Sequence, residues 1–264
     1  MFRKCRLVIF SLVIAASPAI LFSCGSHRNE SNTPYNETEC SAILNNPELM
    51  GRPVKSLPID VFIDAAWKYT ERDVIIDAIN EWNRFSSEFM EKPLFRLAEP
   101  QPIDPECIYN LKRVSMFCAK NRRGLWILPE FSETHWRSMG FSNLDLGVTK
   151  RCSVGEETGE TKIVVVVNRT EDRDYVLKAI LLHELGHVLG IKHGCDGNKS
   201  SDTEQLMCSS VTESDSQMTS VMSPNFYVTV IEHCTQKTYK SSAFNELQPF
   251  DKNRVRCLYG EASE

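Results

Sequence analysis

Residues 183–193 read H-E-L-G-H-V-L-G-I-K-H. His183 and His187 stand four apart, Glu184 follows the first, and His193 comes six after the second. Four residues of helix turn about 400°, so His183 and His187 share one face and their imidazoles can grip one ion. Six more helical residues would turn about 600° and aim His193 away from that ion. The chain must therefore leave the helix first. Gly190 is placed to let it do so, because glycine takes the left-handed conformation that ends helices at little cost. Three nitrogens on zinc leave a fourth position open for water, which marks a catalytic site rather than a structural one. Glu184 is turned about 100° from His183, so it is expected to serve as a general base and not as a ligand. In a chain of this length a chance match to the five fixed positions is on the order of one in 10⁵.

The surrounding pattern predicts the elements that carry this site. Residues 58–64 alternate and read as a strand. Thr70 opens a helix, with Asp73 as its capping partner. Val74, Ile75, Ala78, Ile79, Trp82, Phe85 and Phe89 give that helix a core stripe. Residues 94–98, 124–129 and 146–151 read as further strands, and 99–123, with three prolines and two cysteines, as a loop-rich insertion. His135 and Trp136 lie in a polar connection, where His135 reads as a surface residue. The run K-I-V-V-V-V-N at 162–168 predicts a strand buried on both faces. Asp172 or Asp174 can cap the next helix, which Val176, Leu177, Ile180, Leu181, Leu185, Val188 and Leu189 bury. The order implies a mostly parallel sheet packed on two helices. Residues 194–248 are rich in Ser, Thr and Asn and read as a small irregular subdomain. Residues 249–259 form a last helix, capped by Asp251 and ended by Gly260.

The 264 residues leave room for one catalytic domain with a leader, or for two small domains. A net charge of −5 argues against nucleic acid as a partner. Arg3, Lys4 and Arg6 precede an apolar run, the form of an export signal over residues 1–23. That run ends in L-F-S-C-G, which resembles a bacterial lipoprotein signal with Cys24 as the acylated residue. Ordinary cleavage nearby and an uncleaved anchor are the other readings. A tether or extension over 24–57 would follow. The chain is thus expected to be exported, either secreted or in the cell envelope, as a monomer that meets a membrane only through Cys24. Eight cysteines remain beyond Cys5 and Cys24, and an even number suggests disulfides. Cys107–Cys118 and Cys195–Cys208 are plausible short loops, Cys234–Cys257 could pin the last helix, and Cys40 reads as a disulfide partner.

The zinc pattern resembles the signature of the metzincin metallopeptidases, and other stretches resemble their matrixin branch. Ser220-Val221-Met222-Ser223-Pro224 is similar to the Met-turn, with Met207 as a rival for its methionine. Glu81-Trp82-Asn83, Leu146-Gly147-Val148-Thr149 and the stretch from Asp251 to Leu258-Tyr259-Gly260 resemble the family's first helix, edge strand and closing helix. The resemblance covers roughly 58–260. It implies an α+β zincin fold: a twisted, mostly parallel five-stranded sheet with two long helices, then a small C-terminal subdomain. The boundary between the two parts falls at residues 193 and 194. It implies hydrolysis of peptide bonds in protein substrates, with zinc on His183, His187 and His193 activating water and Glu184 as general base. A substrate strand would run along Gly147, Val148 and Thr149, and Ser223, Pro224 and Asn225 would wall its pocket. One zinc ion is implied, since ligands for the family's structural zinc and calcium are not evident. The gap from His193 to Met222 is longer than in compact matrixins, and the extra cysteines are atypical. The competing reading is a surface-tethered zinc module that binds a partner without cleaving it; an intact Glu184 speaks against it.

Overall fold

Five strands make one sheet in the computed structural model: β1 (Ile59–Ile63), β2 (Phe95–Leu97), β3 (Gly124–Glu130), β4 (Gly147–Ser153) and β5 (Thr161–Asn168). The structure describes residues 37–46, 50–99, 124–142, 145–153, 161–170, 174–193, 220–222, 228–232, 235–239 and 245–260. All of them lie in the compact unit Tyr35–Glu264. The strand order is β2-β1-β3-β5-β4. β1 runs parallel to both β2 and β3, and β3 parallel to β5, while β4 is antiparallel to β5 and forms the edge. This is the mostly parallel sheet that the alternation of strands and helices implies.

β5 is buried on both faces, as its unbroken β-branched run requires. Ile163, Val165 and Val167 join the larger core, and Val164 and Val166 join the smaller one. Two long helices, α2 (Tyr69–Ser86) and α4 (Asp174–Leu189), pack together and belong to the larger core. Ile75, Ala78, Ile79, Trp82 and Phe85 of α2 are buried, and Val74 and Phe89 pack against them. α4 is apolar nearly all round, with Ala179 and Leu182 buried as well as the predicted stripe, so it runs through the interior. The other face of the sheet is covered by Trp136, Met139 and Phe141. Trp136 belongs to a short helix, α3 (Glu133–Ser138). A polar connection is expected there instead. Ser132 caps the helix by accepting from the His135 amide, and the fully buried Trp136 anchors it.

Several polar residues of α2 tie it to its neighbours. Trp82 Nε1 donates to the Leu182 carbonyl of α4. Asn83 brackets β2, donating to the Phe95 carbonyl and accepting from its amide. Glu81 accepts from the Leu247 amide and pairs with Lys178 of α4. The start of α2 corrects the expected cap at Thr70 and Asp73. The helix begins at Tyr69, and Glu71 accepts from the Lys68 amide at 2.9 Å while holding the buried Arg169 at 2.7 Å.

Helix α1 (Glu37–Leu44) packs against the last helix, α5 (Pro249–Tyr259). Cys40 and Cys257 form a disulfide between them, with Cα atoms 5.0 Å apart. This corrects the expected Cys234–Cys257 pair: the α1–α5 packing brings Cys40 within reach of Cys257. Cys24, Cys107, Cys118, Cys195, Cys208 and Cys234 lie outside the described residues. The stretch 194–248 is not wholly irregular. β6 (Val228–Glu232) and β7 (Thr235–Tyr239) pair antiparallel, consistent with their content of Val, Ile, Thr and Tyr. Gly260 ends α5, but in extended backbone with φ −66°, its amide donating to Arg256. Among the described residues no helix is long and apolar enough to cross a membrane.

Candidate metal centre

The helical part of the site is α4. Its spacing puts His183 and His187 on one face, with ring centroids 4.7 Å apart. After Leu189 the helix stops at Gly190, whose φ is +99°. A side chain there would be strained in φ, and its Cβ would lie 2.7 Å from the Arg52 carbonyl oxygen. The Ile191 amide turns back to the Gly186 carbonyl, and Ile191 forms a β-bridge with Met50. Two residues later His193 returns to the face it left.

The Nε2 atom of His193 lies 3.1 Å from that of His183 and 3.1 Å from that of His187. One donor atom from each of the three histidines falls within 4.8 Å of the others. A zinc ion with nitrogens at about 2.0–2.1 Å holds tetrahedral donors about 3.3 Å apart, so the cluster fits one. Ring orientation supports the fit. Nδ1 of His183 lies 2.7 Å from the Val221 carbonyl oxygen, and Nδ1 of His187 lies 2.8 Å from that of Ile191. A carbonyl can only accept, so both Nδ1 atoms carry the proton and both Nε2 atoms present a lone pair inward. Burial, and then neighbouring His193, push the His187 pKa down to about 3, which keeps the ring neutral.

Glu184 points elsewhere, toward the edge strand, and is almost fully buried. Its Oε2 accepts a 2.6 Å hydrogen bond from Thr149 Oγ1. Its Oε1 lies where a Cβ on Gly147 would come within 2.6 Å. Residues 147, 149 and 151 share one face of β4 by the strand's period of two. Arg151 continues that face by donating to the Val188 and Arg52 carbonyls. Val148 points the other way and packs with the smaller core. Gly147, Val148 and Thr149 are thus brought to the site's edge, but their side-chain positions are taken by Glu184 and the core. What they offer a ligand is backbone.

Met222 is fully buried, and its Sδ would come within 2.3 Å of a Cβ on Gly186, so the glycine between the two helical histidines leaves room for it. The segment 220–222 is anchored from below. Asp251 of α5 accepts from Ser220 Oγ and from the Val221 amide, and Ser220 Oγ accepts from the Met222 amide. Burial raises the Asp251 carboxyl above its usual range, against the pull of these donors. Two more residues of α5 reach the site. Arg254, fully buried, donates to the Lys192 carbonyl next to His193. Tyr259 donates to the Leu189 carbonyl at the end of α4 and accepts from the Val54 amide. Sequence reasoning assigned Asp251 to a helix cap and missed Arg254 and Tyr259 as supports. The sole signal was the likeness of 251–260 to a closing helix. His135 stands apart from the histidine cluster and pairs with Glu130 at 2.5 Å. Met207, Ser223, Pro224 and Asn225 lie outside the described residues.

Residues 170–264 match a family model described as Met-zincin. No curated protein matches the chain. Among solved structures it is similar to high choriolytic enzyme 1, a hatching-enzyme zinc protease from the medaka fish Oryzias latipes. That similarity has 13% identity and a TM-score of 0.37, over 81% of this chain and 96% of that one. It is also similar to myroilysin, with 11% identity and a TM-score of 0.34, over 80% of this chain and 98% of that one.

Proposed function

We propose that this chain is a zinc-dependent endopeptidase of the metzincin type, matrixin-like in its 220–224 turn and closing helix, acting on extracellular or envelope proteins. One observation carries the reading: three imidazole Nε2 atoms converge on one point, two of them fixed in the ligating tautomer. The Met-zincin match over 170–264 supports it. Zinc, when bound, supplies Lewis-acid polarisation of a carbonyl and acidifies water. His183, His187 and His193 would hold it. Glu184 takes the proton of the attacking water on its carboxylate. It delivers that proton to the departing amine nitrogen as the carbon–nitrogen bond breaks. The substrate adds as an extended strand along the outer edge of β4, where the backbone of Gly147, Val148 and Thr149 pairs with it. Met222, packed against Gly186 between the two helical ligands, would lie beneath a bound metal, and Ser223, Pro224 and Asn225 would wall the pocket beyond the scissile bond. The protein works as an exported monomer, anchored through Cys24. The basic and apolar residues before Cys24 support export, and so does the Cys40–Cys257 disulfide, since such bonds persist in oxidising compartments.

The test pairs metal analysis with cleavage of a denatured protein and a peptide library. Wild type is expected to carry one zinc and to cleave. Glu184→Ala is expected to keep zinc and fold while losing about 10²–10⁴-fold in rate. His187→Ala is expected to lose both metal and activity. Cleavage by Glu184→Ala at the wild-type rate would sink the mechanism.

A further inference from the structure

The reading above leaves open what holds the base in place. Glu184 has three side-chain torsions and needs one orientation for proton transfer. Two features of β4 act on its carboxylate from the same strand face. At one end, Gly147 offers no side chain. A Cβ there would sit 2.6 Å from Oε1 of Glu184, closer than real Cβ contacts come, and 3.0 Å from both Cδ and Cγ, tighter than most, so the carboxylate would have to shift. At the other, Thr149 Oγ1 stands 2.6 Å from Oε2, the length of a charge-assisted O–H···O bond, and 3.2 Å from the Glu184 backbone carbonyl oxygen. The hydroxyl has one proton to give, and the shorter contact to the charged oxygen takes it. Thr149 is itself stiff. Its χ1 is restricted by β-branching, and its backbone is paired in the sheet opposite Val165.

We propose that Gly147 and Thr149 form a slot for the Glu184 carboxylate, with Thr149 the positioning residue of the general base. Thr149 thus acts on the reaction through Glu184 and not by touching substrate with its side chain. The strand that receives the substrate's backbone also sets the orientation of the base, so attacking water and scissile bond are referred to one rigid element. A bond to an ionised carboxylate in a buried site, if lost, removes a restraint on the orientation of the base. This costs about 10- to 100-fold in rate.

The proposal rests on the peptidase reading, and its test separates the two. Thr149→Val keeps the shape and removes the donor; Thr149→Ser keeps the donor; Gly147→Ala fills the slot. Each variant is assayed on the peptide library for kcat and KM, for zinc content and for thermal unfolding, and Thr149→Val is also crystallised beside wild type. Thr149→Val and Gly147→Ala are expected to lose about 10- to 100-fold in kcat with KM within about twofold and zinc unchanged. Thr149→Ser is expected to stay within about threefold of wild type. In the Thr149→Val crystal the Glu184 carboxylate should leave its wild-type position. Full activity of Thr149→Val, a loss confined to KM, or loss of zinc would each overturn the proposal. If wild type cleaves nothing, the peptidase reading fails; the Glu184 position in the crystal then decides alone, and an unmoved carboxylate overturns the slot.

Discussion

His187 must stay neutral to offer Nε2 to a metal, and its surroundings enforce that. Burial, then the neighbouring His193, hold its pKa near 3, against an ordinary value near 6.5. Above about pH 6.5 neither the folded nor the unfolded chain protonates this ring, and it adds no pH dependence. Below that, the unfolded chain binds a proton that the folded chain refuses, so stability falls as pH drops from about 6.5 toward 3. Metal-free protein prepared by chelation is expected to show a melting temperature that declines between about pH 7 and pH 5. His187→Asn should flatten the decline. A melting temperature that rises on acidification would contradict the assignment. His183, Glu184, His187 and His193 could be found in the sequence because their geometry is local: helical spacing, a glycine break and a return all fall in one short window. The contact of Thr149 with Glu184 could not. It joins residues 35 apart, and nothing in G-V-T-K says which face of a strand meets which face of a helix.

At the scale of elements, α5 serves as a brace beneath the site. Asp251 holds the 220–222 turn, Arg254 holds the carbonyl before His193, and Tyr259 holds the end of α4. All three point inward from one short helix. Burial lowers the Arg254 pKa to about 10, which still leaves it charged at neutral pH. Its removal takes away a support of the turn that carries His193. Arg254→Leu is expected to weaken zinc binding about 10- to 100-fold, measured by competition with a chelator, while α4 stays helical. Unchanged affinity would show that α5 supports stability alone. The position of α5 followed from Pro249, Asp251 and the apolar Val255 and Leu258, but its role did not. Arginine in a helix reads as solvated surface until packing buries it. α3 was hidden for the same reason. E-T-H-W-R-S carries one apolar residue, and its helix rests on the Ser132 cap and on the burial of Trp136 in the second core, which the sequence pattern does not show.

At the scale of the molecule, the larger core joins sheet, α2, α4 and α5, and the Cys40–Cys257 bond fastens α1 to that body. Cys40→Ala is expected to cost about 2–5 kcal/mol, read from chemical denaturation under non-reducing conditions. No change in the midpoint would mean that α1 is held by packing alone. The five strands and their mostly parallel sense were readable from periodicity and from the alternation of strands and helices, whereas the strand order and the pairing of cysteines were not, because both depend on which element lies beside which. The bond has a further consequence for a protein proposed to cut other chains. Everything from Cys40 to Cys257 is a covalent ring, and that ring contains the metal cluster and both cores. A single nick anywhere inside it opens the ring without dividing the molecule. Self-digestion at one position would therefore leave an apparently intact species on a non-reducing gel and two fragments once reductant is added.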